Sequence, residues 1–194
     1  TLSYSFKDDG TTYHANVTKD TDAIQQTIDQ CPRGGIVRIP AGTYLSGAVF
    51  LRSDMTLELE KGAILQGSPD PEDYPKVLNR FEGWELVTYS SLINCGTLDH
   101  TKSQMTENVA LRGQGTIRGG GRELGDAMRT IAGDDGQGRS RGRLIQFMNC
   151  RNVAIEGLNI ENPPCWTIHA IYSEHITCLN LPLSSLGVPN GDGI

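Results

Sequence analysis

Two stretches, Asn108-Val-Ala-Leu-Arg-Gly113 and Asn152-Val-Ala-Ile-Glu-Gly157, decide the fold. Both read N-V-A-[L/I]-x-G, and each is followed by another short strand-like piece, Thr116-Ile117 and Leu158-Asn-Ile160. His175-Ile-Thr-Cys-Leu179 keeps the same alternation. Apolar side chains recur at every second position, the period of a strand with one buried face. Val109, Val153 and Ile176 are spaced as two periods and then one, with a period of about 22 residues, in the range of solenoid repeats.

Working outward, earlier segments share this character: Ile36–Ile39, Ala48–Leu51, Met55–Leu59 and Ala63–Leu65 are short, apolar or alternating, with turn formers at many joints. One amphipathic helix is expected, over 20–31. Asp20 or Thr21 can cap it, Ile24, Ile28 and Cys31 share a face, and Pro32 with Gly34-Gly35 ends it. No second helix is expected, which excludes a doubly wound sheet. The pattern predicts an all-β fold, a parallel β-helix whose coils rest on one another. The helix at 20–31 is expected to cap its N-terminal end. A β-sandwich is the alternative fold, disfavoured by the near-repeat. Residues 68–91 and 119–142 interrupt the repeat and are read as loop excursions from a single partial domain, 1–194. In solenoids such insertions gather on one face, often the binding face.

Composition narrows the function. With 194 residues and a net charge of −6, general attraction to nucleic acid or an anionic membrane is not expected. Between Arg112 and Arg151 arginines outnumber acids, so a polyanion could find a groove there. No apolar run reaches the ~20 residues that span a bilayer, and no signal peptide is legible at the N-terminus. The five cysteines have no metal-ligand spacing and are read as small buried apolar residues. Neither metal nor cofactor is expected.

Four stretches, "DAIQQTIDQCPRGGIVRIPAGTYLSGAVFLRSDMTLELEKGAIL" (22–65), "LRGQGTIRGGG" (111–121), "RLIQFMNCRNVAIEGLNIENPPCWTIH" (143–169) and "PNGDGI" (189–194), occur in the order found in polygalacturonases of glycoside hydrolase family 28, which this sequence resembles, bacterial members above all. The resemblance implies a right-handed, pectate-lyase-like parallel β-helix that hydrolyses α-1,4-galacturonosyl linkages in pectin with inversion. It also implies a pectic polysaccharide or oligogalacturonide as partner, and an extracellular or periplasmic location. The family's Asn-Thr-Asp motif matches Asn190-Gly191-Asp192, with Gly replacing Thr. Asp192 is then one of the carboxylates that activate the attacking water, and Asn190 supports the substrate or a neighbouring carboxylate.

Inversion takes two carboxyls about 6.5–9.5 Å apart, with a water between one of them and the sugar. In the family an Asp pair, a Gly-His-Gly and an Arg-x-Lys motif follow the first Asp. The chain is therefore expected to be truncated at its C-terminal end and to have little or no activity alone. Gly133-Asp134-Asp135 mimics the Asp pair but precedes Asp192, and is read as a solvated turn.

In "CWTIH", Trp166 is a candidate to stack on a sugar and His169 to donate to a hydroxyl or carboxylate. Alternation puts Trp166 with Ile168 on one face and Thr167 with His169 on the other. Arg139, Arg141 and the adjoining Arg143 are candidates to pair with galacturonate carboxylates, since guanidinium binds carboxylate through two parallel hydrogen bonds. His175 is expected at a coil corner. Arg118 stands where relatives often have Asp. The alternative functions on the same fold are a polyuronate lyase and a non-catalytic carbohydrate-binding β-helix.

Overall fold

The computed structural model describes residues 19–99, 105–132 and 139–194. The chain winds into coils, each laying short strands onto three parallel sheets. A helix, α1 (Thr21–Gln30), precedes β1 (Gly35–Ile39), β2 (Gly42–Ser46) and β3 (Val49–Leu51). The next coil holds β4 (Met55–Leu59), β5 (Ala63–Gly67), an outlying pair β6 (Lys76–Phe81) and β7 (Trp84–Tyr89), then β8 (Ile93–Gly96). The third has β9 (Thr106–Gly113), β10 (Thr116–Arg118), a second helix α2 (Gly121–Ala132) and β11 (Ile145–Met148). β12 (Cys150–Glu156), β13 (Asn159–Glu161) and β14 (Ile168–Ile171) form the fourth, and β15 (Glu174–Leu179) and β16 (Leu183–Ser184) continue into a fifth. The first sheet runs β1-β4-β9-β12-β15, the second β16-β13-β10-β5-β2 and the third β14-β11-β8-β3. This is the parallel β-helix that the repeat predicts.

The register explains the repeat and corrects its spacing. Val153 pairs directly with both Val109 and Ile176. The 44 residues from Val109 to Val153 are thus one coil, not two periods. Successive coils measured along the first sheet take 20, 54, 44 and 23 residues. The two long ones contain the excursions, and both excursions leave after a second-sheet strand and return at a third-sheet strand.

Neither excursion is simply a loop. Within 68–91, β6 and β7 form an antiparallel hairpin in which Phe81 pairs with Trp84. Its two-residue turn, Glu82-Gly83, has φ of 48° and 89°, as a type I′ hairpin turn requires. Within 119–142 lies α2, contrary to the expectation of a single helix. Leu124 and Met128, four residues apart, are buried in the main core. The tempting Gly133-Asp134-Asp135 lies outside the described residues.

The interior is a column of aliphatic rungs, among them Val37, Leu57, Leu111 and Ile155, each almost fully buried. α1 sets Ile24 and Ile28 against the first coils, as the expectation of an N-terminal cap requires. Its first turn has no capping bond from the Asp20 side chain. The Thr21 hydroxyl instead accepts from the Gly47 amide at 2.8 Å, and Arg52 closes the other end on the Ile28 and Cys31 carbonyls.

The asparagine that opens each N-V-A-x-G has a conformational role. Asn108 and Asn152 have φ of 57°, and Asp54 and His175 sit beside them at 58° and 56°. Asn tolerates this left-handed corner better than most residues. The side chains form a ladder: Asn152 donates to Asn108 at 2.6 Å, and Asn108 to Asp54 at 2.8 Å. His175 therefore stands at a coil corner, as expected. Arg118 pairs across the rung with Glu161, donating at 2.6 Å. All five cysteines are free thiols, four of them buried.

Candidate active site

Asp192 enters the fold at the rung after β14. The Thr167 amide donates to the Asp192 carbonyl at 2.8 Å and the Ile168 amide to the Gly193 carbonyl at 3.1 Å. In the preceding rung, Ile145 pairs with Ile168 while its amide bonds to the Thr167 carbonyl, one residue earlier. The same offset sets Asp192 beside Trp166, which itself follows Arg143 in register. Asp192 is exposed and is thus the newest step of a row, Arg143, Trp166, Asp192, along the third sheet's leading corner.

The turn before it is Val188-Pro-Asn-Gly191. The Gly191 amide returns to the Val188 carbonyl at 3.2 Å, and Asn190 has φ of 57°. Proline second and a positive φ third make this a type II turn. Arg141 holds it from two rungs away, donating to the Pro189 carbonyl at 2.9 Å and to Asn190 Oδ1 at 2.7 Å. Arg141 is buried, with its fork engaged on this turn. The expectation that it pairs with a galacturonate carboxylate therefore gives way to a bracing role.

Arg143 is more deeply enclosed, with no exposed surface. Its guanidinium donates to the carbonyls of Arg141 at 3.1 Å and Arg80 at 2.9 Å. The same group lies 4.4 Å from the Phe81 ring centroid and 4.8 Å from that of Trp166. Burial first, and Arg141 nearby, lower its pKa to about 10, so it stays cationic at neutral pH. Contacts with two ring faces offset part of the cost of burying that charge. Arg139 is separate from this group. Its guanidinium lies 5.9 Å from the Trp84 ring and 3.7 Å from Glu82, both at the hairpin end.

Trp166 and His169 come together, which corrects the alternation. Trp166 stacks on Phe81 with centroids 4.5 Å apart and meets the His169 ring edge-on at 4.8 Å. Ile168 points into the core and Thr167 is buried. Trp166 precedes β14, so the two-residue period of a strand does not govern it.

The hairpin closes over this corner. Asn79 donates to Gln146 Oε1 at 3.1 Å, Gln146 returns a hydrogen bond to Asn79 Oδ1 at 2.6 Å, and Gln146 Nε2 lies 3.4 Å from His169 Nδ1. Arg80 donates to the Tyr172 hydroxyl, which in turn reaches Glu85. Burial above all, then Arg143 and Arg80, depress the His169 pKa to about 4, so the ring is neutral at pH 7. Sequence reasoning missed Asn79, Arg80, Phe81 and Gln146. Asn79, Arg80 and Phe81 lie in the first excursion and Gln146 in β11, and none of the four carries a local signal that links it to the others.

A hollow of about 820 Å³ opens elsewhere, lined by Arg33, Arg52, Asp54, Glu107, Asn108 and Arg151 among others. It is broad and open, and none of the candidate residues lines it. The convergence of side chains, not the larger hollow, locates the site. Among the described residues no group of three or more His, Cys, Asp or Glu side chains could hold a metal ion.

These features define a single-chain parallel β-helix with a polar and aromatic site on the outside of one sheet. No family model matches the chain. It is 28% identical to an exo-poly-α-D-galacturonosidase of Dickeya chrysanthemi, over 98% of the chain and 36% of that protein. A family 28 exopolygalacturonase of Yersinia enterocolitica superposes with a TM-score of 0.83 at 30% identity, over 93% of the chain and 38% of its own. An exopolygalacturonase of Thermotoga maritima does so with a TM-score of 0.74 at 30% identity, over 91% of the chain and 45% of its own. The chain is similar in sequence and fold to polygalacturonases of glycoside hydrolase family 28, and spans between about a third and a half of the length of these relatives.

Proposed function

We propose that this chain is part of a glycoside hydrolase that cleaves α-1,4-galacturonosyl linkages in pectin or polygalacturonate with inversion, and that Asp192 is one of the carboxylates activating water. The observation that carries the reading is the position of Asp192. It is exposed, it extends the row Arg143–Trp166, and it follows a turn braced by a buried arginine. A general base must be held within hydrogen-bond reach of its water, and a carboxylate anchored by rung bonds at its own carbonyl and at that of Gly193 meets that need.

In this reading Asn190 keeps the turn left-handed, and its amide nitrogen is free to face a sugar hydroxyl. Trp166 offers an aromatic edge and His169 a neutral donor to the same sugar. Arg141 and Arg143 supply a positive background that favours an anionic polysaccharide without contacting it. Arg139 lies farther along the hairpin, where a neighbouring uronate could reach it.

The test is reducing-end release from polygalacturonate by the protein containing this chain, compared with Asp192→Asn. Loss of a catalytic base is expected to lower kcat by about 10²-fold or more. Turnover within a factor of two of the unsubstituted protein would overturn the assignment.

A further inference from the structure

The geometry points to Asn79 and Gln146 as positioning residues that hold His169 in one tautomer, with its proton on Nε2 and that N–H turned toward the sugar. This rests on the proposed function only for what lies beyond Nε2; the assignment of the proton stands on hydrogen bonding alone.

The direction of the relay is set by a group that can only donate. The Arg80 backbone amide donates to Asn79 Oδ1 at 2.8 Å. That oxygen is therefore the acceptor end of the Asn79 amide, and Asn79 Nδ2 is the end that donates to Gln146 Oε1 at 3.1 Å. The Ser91 hydroxyl donates to the same oxygen of Gln146 at 3.2 Å. Gln146 Nε2 is left as the donor end. One of its hydrogens goes to Asn79 Oδ1 at 2.6 Å. The other faces His169 Nδ1 at 3.4 Å. A nitrogen that receives an N–H cannot carry its own proton, so in the neutral ring the proton resides on Nε2.

Both amides are fully enclosed, Asn79 and Gln146 having no exposed surface. Reversing either one would set carbonyl against carbonyl in a buried space, at about 1–3 kcal/mol for each unsatisfied group. The charged neighbours act in the same sense. Arg143, packed on the hairpin's Phe81, and Arg80, on the hairpin itself, disfavour a second proton on the ring. Trp166 meets the ring edge-on and fixes its plane.

The consequence for binding is a donor that stays uncharged at neutral pH, where galacturonate is anionic. His169 presents a neutral N–H to a hydroxyl or carboxylate oxygen. The hairpin strand β6, which contacts the third sheet through Asn79, determines which ring nitrogen does so.

The test uses nitrogen-15 histidine resonances, which distinguish a protonated from a bare ring nitrogen. Of the four histidines, His169 is assigned by its disappearance in His169→Gln. The expected result is a bare Nδ1 and a protonated Nε2 from pH 6 to 8. A proton on Nδ1, or an averaged mixture, would overturn the inference. In Gln146→Glu the carboxylate can only accept, so the proton is expected to move to Nδ1 and the ring to titrate at higher pH. A folded Gln146→Glu protein with an unchanged His169 spectrum would also overturn it. Failure here leaves the Asp192→Asn assay untouched. Conversely, full activity in Asp192→Asn would remove the hydrolase reading and leave the tautomer standing.

Discussion

Arg141 reaches across 49 residues of sequence to hold Asn190, with one arm of its guanidinium on the Asn190 side chain and the other on the Pro189 carbonyl. The bond is local in space because coils stack in register: Arg141 leads into the β11 rung and Asn190 into the rung just beyond β14, and the long arginine side chain spans the step between. Lysine has a single point of donation and cannot span both acceptors. Arg141→Lys is expected to cost about 1.5–3 kcal/mol, the range for hydrogen bonds to a charged group. Hydrogen exchange should report it most clearly at the Thr167 and Ile168 amides, which bond to residues 192 and 193. Exchange there is expected to speed up by about tenfold or more. Unchanged protection would show that the turn holds itself.

The asparagine ladder offers a sharper contrast. At Asn108, with φ of 57°, alanine adds the strain of a left-handed residue, about 1–2 kcal/mol, to the loss of two ladder bonds. Glycine loses the bonds without the strain. Asn108→Ala is therefore expected to melt below Asn108→Gly, and both below the unsubstituted protein. The reverse order in thermal denaturation would mean that the left-handed corner places no net strain on alanine.

The depressed pKa of His169 makes a signed prediction. The folded ring titrates near 4, whereas an unfolded histidine titrates near 6.5. Between those values the unfolded chain binds the proton and the folded chain does not. Stability from this residue is therefore complete above about pH 6.5, falls as pH drops through this window and levels off below pH 4. Other groups also titrate there, so the measurement is the difference between the protein and His169→Gln across pH 4–7. The slope should be shallower in the variant, by the order of 1 kcal/mol in total after allowing for the partly solvated ring. Equal slopes would place the ring in a more solvated setting than its contacts describe.

The helix α2 is anchored by few groups, chiefly Leu124 and Met128. Met128 also touches the chain leading to Arg143, its sulfur 3.4 Å from the Gly142 amide. Leu124→Ala and Met128→Ala are each expected to cost about 2–5 kcal/mol. The Met128 variant should also lower activity per folded molecule, because it loosens the approach to Arg141 and Arg143. Activity loss that merely tracks the unfolded fraction would confine α2 to a structural role.

Much of this fold is legible in the sequence. Period-two segments, short joints and the paired N-V-A-x-G stretches are local patterns, and each reports a buried face or a left-handed corner directly. Coil length is not local. The 44 residues from Val109 to Val153 fit two periods of about 22 equally well, and only the pairing partner distinguishes one enlarged coil from two. The second helix was hidden because Gly121 and Gly125 weaken its propensity and its buried stripe is essentially Leu124 and Met128. The hairpin was hidden because Glu82 occupies a positive φ that Asn or Asp ordinarily signals. At the site, Asn190, Asp192, Trp166 and His169 could be singled out by residue type and order. The bracing role of Arg141 and the Asn79–Gln146 relay could not, since each depends on a contact across coils.

Both long excursions open at the same corner, between the second and third sheets, and the rungs on either side of them keep register. The coil thus separates two kinds of change. Substitutions inside a rung disturb stacked neighbours above and below, while lengthening or replacing the segment at that corner adds closure entropy that grows only as the logarithm of its length, about 0.6 kcal/mol per doubling. The wall over Trp166 and His169 is in this sense interchangeable: a different hairpin could reshape the surface beside Asp192 while the spine that carries the carboxylate stays as it is.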